Sequence, residues 1–182
     1  MLNNDIYDAF MLDHAVGALG GGLSVAADLH AQLSTDGQHR SILWSVVGGA
    51  LLERDSSSLT SAGVSNRRRR RKPTGSAEDI LNVDLSKLTW KASLSGAAMA
   101  KTGLPSSHFM RLEPGKTIPV HSHSAIEATV VLQGALDVDG DVYNIGDIAL
   151  GAPGETHKPA ARGDEACICF VARGERPFWR LT

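Results

Sequence analysis

One stretch of 20 residues, Gly115 to Gly134, limits what this chain can become more than any other. It reads GKTIPVHSHSAIEATVVLQG and sets His121, His123 and Glu127 in a G-x5-H-x-H-x3-E-x6-G frame. On an extended strand side chains alternate between faces, so His121 and His123 point the same way. Both imidazoles can then reach one cation at about 2.0–2.1 Å. Glu127 has the same parity, but an uninterrupted strand would carry it about 20 Å from His121. The chain must therefore turn within Ser124-Ala125-Ile126 and return Glu127 on an adjacent strand. His157, in GDIALGAPGETH, follows a Gly- and Pro-rich turn and is expected to complete the set from a third strand. Three imidazoles and a carboxylate accept Zn, Fe, Mn, Ni or Cu, and spacing alone does not choose among them.

The rest of the sequence divides by texture. Residues 5–53 read as helical. Val25, Ala26, Leu29 and Leu33 fall at one-face spacing, and so do Ile42, Leu43, Val46, Val47, Ala50 and Leu51. Gly20-Gly21-Gly22 and Thr35-Asp36-Gly37 separate the helices. Residues 54–80 are polar, Ser-rich and charged, and are expected to form a disordered linker. From 81 to 182 short β-prone runs alternate with Gly, Pro and Asp turns, and Asp139-Gly140 signals a hairpin. Strands at this spacing predict a closed barrel or sandwich. The expected domains are thus a helical unit at 1–53, a linker at 54–80 and an all-β domain at 81–182.

The chain has 182 residues and a formal net charge of −2. Six consecutive basic residues, Arg67 to Lys72, sit in the linker, so the remainder is acidic. The run lacks aromatic residues and reads as solvated linker rather than as a specific nucleic-acid surface. Cys167 and Cys169 are the two cysteines. Spaced i and i+2 on a strand, they suit a reducing compartment and read as small buried hydrophobes. No segment is apolar for long enough to span a bilayer, and MLNNDIYDAF lacks the features of a secretory signal, so a cytoplasmic location is expected. His14, His30 and His39 read as polar surface, and His108 has no partner at metal spacing. Glu113, Glu155 and Asp147 lie beside turns and are expected to be solvated.

Gly115, His121, His123, Glu127 and Gly134 match the first motif of the cupin superfamily, which this region resembles. Gly146, Pro153, Gly154 and His157 match its second motif in part. The Gly146–Pro153 spacing is one residue long, and Ala161 stands where that motif carries Asn. The resemblance implies a double-stranded β-helix, or jelly-roll barrel, holding one divalent metal through His121, His123, Glu127 and His157. Zinc is the first expectation; iron, manganese and nickel are alternatives.

The order of helical unit, linker and cupin is also similar to the ChrR-type anti-sigma factors. The local match is DAFMLDHAVGALGGGLSVAADLHAQLSTDGQHR, together with HSHSAIEATVVLQGAL and EACICFVA. That resemblance implies a helical domain that sequesters a sigma factor of the extracytoplasmic-function class and a cupin domain that senses an oxidative or small-molecule signal. The family holds its helical domain with zinc through an early His and an H-x3-C-x2-C motif. Here those last positions are His30, Ser34 and Gly37, and the early position falls near Asp5. With both thiolates gone, an N-terminal zinc site is expected to be absent. The alternative reading is a metal-dependent cupin enzyme, a dioxygenase or isomerase, with an N-terminal oligomerisation or interaction segment.

Overall fold

The computed structural model describes residues 4–56 and 75–174. The basic run and most of the expected linker lie outside them. Three helices come first: α1 (Asn4–Ala15), α2 (Gly21–Leu33) and α3 (Thr35–Ser56). A short α4 (Ala77–Leu81) follows. Its start is fixed by a capping box, in which Ser76 Oγ accepts from Asp79 N and Asp79 Oδ2 accepts from Ser76 N. The expected boundaries after residues 53 and 80 therefore fall at or inside helical segments.

Eleven strands are described: β1 (Lys91–Ala92), β2 (Ala98–Lys101), β3 (Ser107–Leu112), β4 (His121–Ser122), β5 (Glu127–Gln133), β6 (Ala135–Val138), β7 (Asp141–Tyr143), β8 (Ile148–Gly151), β9 (Thr156–His157), β10 (Pro159–Arg162) and β11 (Cys167–Arg173). The large sheet runs β1-β2-β3-β11-β5-β8, facing a smaller β10-β6-β7 sheet and a β4-β9 ribbon. Every pairing is antiparallel. The β6–β7 turn is the hairpin expected at Asp139-Gly140. Both residues have positive φ, 53° and 96°, as a two-residue turn matched to strand twist requires.

Alternation along the large sheet gives it two apolar faces. Met110, Leu112, Val131, Cys167, Cys169 and Val171 point into the barrel and meet Ile118 and Leu136. Phe109, Val130, Ile148, Phe170 and Ala172 point outward, into a cluster with Tyr7, Phe10, Met11, Leu23, Val25 and Leu29 from α1 and α2. The helices are therefore a third layer on the barrel, sharing one core with it. Helix α2 is buried almost all round because α3 lies on one side and β5 and β11 on the other. Two close approaches seat it. A Cβ on Gly22 would meet those of Ala172 and Ser107 at 3.0 Å. Gly146, at φ 89°, leaves room for the Leu33 backbone, where a Cβ would lie 2.6 Å from the Leu33 oxygen.

His30 is not polar surface, as its sequence context suggested; it is 3% exposed. Its Nδ1 lies 2.7 Å from the Gly146 carbonyl oxygen, an acceptor only, so Nδ1 carries the proton. Its Nε2 lies 2.7 Å from the Tyr7 hydroxyl, which is 3.2 Å from Asp36 Oδ2. Burial, then the nearby Asp36 carboxylate, raises the Tyr7 phenol well above its ordinary value. Where the family resemblance places zinc ligands, this chain groups Tyr7, His30 and Asp36, with the single phenolic proton of Tyr7 shared between His30 Nε2 and Asp36 Oδ2. Ser34 Oγ accepts from Gly37 N at 3.3 Å, and a side chain at position 37 would collide with the His30 backbone. These donors do not make a thiolate zinc site.

Candidate metal centre

The β4–β9 ribbon is only two residues deep, yet it sets His121 directly opposite His157. A bend at Ser124 and Ala125 then carries the chain to the large sheet, where Glu127 opens β5 between Gly151 of β8 and Arg173 of β11. Here the structure corrects one expectation. Glu127 is not on a strand paired with β4; it reaches the histidines from the other sheet. Gly151 matters for its lack of a side chain, since a Cβ there would sit 3.3 Å from the His157 ring.

The rings of His121, His123 and His157 pack with centroids 4.5–5.2 Å apart. One nitrogen from each lies within 4.8 Å of the others, a grouping that can hold a metal ion. His121 Nδ1 donates to the Pro119 carbonyl oxygen at 2.9 Å, which leaves the Nε2 lone pair facing His157 Nε2 at 3.1 Å. His123 Nε2 is buried without a hydrogen bond, although Glu127 Oε2 lies 3.2 Å away. An orphaned imidazole nitrogen beside two that face one another is a donor set that a shared cation satisfies. Nitrogens about 3 Å apart suit ligand bonds of about 2.0–2.1 Å.

Glu127 is 7% exposed. Burial alone would raise its carboxyl pKa, but the neighbouring His123 imidazole and the Arg173 guanidinium overcome that and hold it at about 2. The carboxylate is thus charged at neutral pH. Burial lowers the pKa of His157, and burial with Arg173 nearby lowers that of His108, which favours neutral imidazoles. Arg173, absent from the sequence reading, donates from Nε to Glu127 Oε2 at 2.6 Å. The two stand 46 positions apart with no local signal to join them; only the β5–β11 register brings them together.

A cavity of about 300 Å³ adjoins the cluster inside the barrel. His121, His157, Glu127, His108 and Arg173 form its polar end, and Met99, Met110, Ile118, Leu136 and Val171 its apolar walls. Cys167 and Cys169 also face the barrel interior, with Sγ atoms 3.5 Å apart. Their mutual contact and complete burial raise the Cys169 thiol well above its ordinary value, which leaves it protonated. Asp147 and Glu155 accept from the backbone of Asn144 and Ala152 in turns, and Glu113 pairs with Arg111 at 2.9 Å.

Residues 79–177 match the family model of the ChrR cupin-like domain. The chain belongs to that family. It is also 25% identical over 190 residues to the anti-sigma-E factor ChrR of Cereibacter sphaeroides, covering 94% of this chain and 89% of that one. The crystal structure of Rhodobacter sphaeroides SigE in complex with the anti-sigma ChrR superposes with a TM-score of 0.70 at 24% identity, over 92% of this chain and 96% of that one. The fold is accordingly a helical layer followed by a cupin barrel, as expected from sequence.

Proposed function

We propose that this protein is a cytoplasmic anti-sigma factor whose helical layer sequesters a sigma factor of the extracytoplasmic-function class. The similarity to ChrR carries this reading, because it runs through the helices as well as the barrel. Helix α3 supports it. Ile42, Leu43 and Val46 are 60%, 50% and 68% exposed, although their spacing is that of a buried face. Residues 1–53 form the partner-binding unit, 54–80 the connection, and 81–182 the sensor. No described helix is long and apolar enough to cross a membrane.

The barrel holds one divalent cation, zinc first, through His121, His123, Glu127 and His157. When bound, the metal supplies a Lewis-acidic centre with affinity for oxygen donors. The chain's own part is to orient four ligands and to keep an apolar cavity beside them, where a small signal molecule fits. Release follows if the signal favours the free state over the sigma-bound state. The test is run-off transcription. Purified full-length protein should suppress transcription by its cognate sigma factor's holoenzyme and leave the housekeeping holoenzyme unaffected. Equal effects on both, or on neither, would remove the anti-sigma reading.

The cavity favours a second reading, a metal-dependent oxygenase or isomerase, since enzymes need such space beside a metal. Turnover of a small substrate by protein that does not suppress transcription would favour it.

A further inference from the structure

Glu127 presents two oxygens to two different surroundings. Oε2 accepts from Arg173 Nε at 2.6 Å and lies 3.2 Å from His123 Nε2. Oε1 has no such cation beside it and lies 3.9 Å from His157 Nε2. An untethered carboxylate at this place is free to offer one oxygen, both or neither to the imidazole cluster. The guanidinium removes that freedom. It is itself well placed to do so: Arg173 stands opposite Glu127 in the β5–β11 register, and its backbone N donates to the Ser106 carbonyl oxygen at 2.9 Å.

We propose that Arg173 is a positioning residue that holds one oxygen of Glu127, so that the carboxylate meets a bound cation in a fixed orientation and with a single oxygen. The role rests on the metal centre proposed above. It follows from the chemistry of the two groups. Arginine keeps its charge at any physiological pH, and its rigid, planar guanidinium directs the Nε–H at one oxygen where the round, freely rotating ammonium of lysine does not. Partners behind a metal ligand commonly set both its orientation and its affinity for the ion. Leaving the carboxylate one bond to the metal also keeps coordination space open toward the cavity.

Cobalt(II) binding by the full-length chain tests this, read by the visible absorption of the ion and by competition with a chelator. Arg173→Ala should weaken cobalt binding by about 10–100-fold and shift the visible bands, because Glu127 becomes free to supply both oxygens. Arg173→Lys, which keeps the charge, should show the same spectral shift, and it serves if the alanine variant does not fold. Adding Arg173→Ala to Glu127→Ala should change neither quantity further, since the effect runs through the carboxylate. An Arg173→Ala protein with wild-type spectrum and affinity overturns the role and leaves the metal centre standing. So does a loss that adds in full to that of Glu127→Ala. A wild-type chain that takes up no cobalt overturns the metal centre and this role together.

Discussion

At position 30 a single imidazole joins two helices to the barrel, through the Tyr7 hydroxyl and the Gly146 carbonyl oxygen. Burial lowers its pKa below the ordinary 6.5. The unfolded chain therefore takes up a proton at a pH where the folded chain does not. The contribution of His30 to stability is complete above the unfolded pKa and declines as pH falls toward the lowered folded value. Urea midpoints should drop more steeply for the wild type than for His30→Asn between about pH 7 and pH 5, while half-buried His108 and His157 contribute equally to both. Parallel profiles would contradict this account of His30. The residue also shows where sequence reading stops. His121 and His123 were legible because strand parity is local, and Glu127 and His157 because glycines and a proline mark the turns. His30 carried the right helical spacing but no sign of its acceptor, which lies 116 residues away. Arg173 escaped notice for the same reason.

Strand β11 is the element that meets both functional regions. Its Ala172 faces outward against Gly22 of α2, and its Arg173 faces Glu127 at the cluster. Adjacent residues on opposite faces thus link the helical layer to the candidate metal centre. A larger side chain at position 22 wedges that contact without touching the histidines. Gly22→Val is expected to destabilise the protein by about 1–3 kcal/mol through overpacking, seen as a lower thermal midpoint, with cobalt uptake retained. An unchanged midpoint would show that the helices are not seated as described. The strands themselves were readable from their alternation and turns. Helix α3 was readable as amphipathic, but its periodicity does not tell which apolar positions the fold buries and which it leaves exposed.

Across the whole molecule, the described helices pack on the barrel as a third layer and share a core with it, where texture along the sequence showed only a helical unit, a linker and an all-β domain in succession. The polar linker gave no hint that α2 would return to cover the outer face of β5 and β11, because such docking depends on contacts far apart in sequence. That arrangement gives the proposed sensor and the proposed partner-binding surface a shared core within one chain. The most direct measurement is co-expression of the full-length chain with an extracytoplasmic-function sigma factor from the same genome, followed by size-exclusion chromatography and metal analysis of the peak. The account predicts a 1:1 complex with one divalent metal per chain, and loss of that metal without loss of the complex in His121→Ala/His123→Ala. A sigma factor that elutes apart from the chain, or a complex with no metal in the wild type, would contradict it.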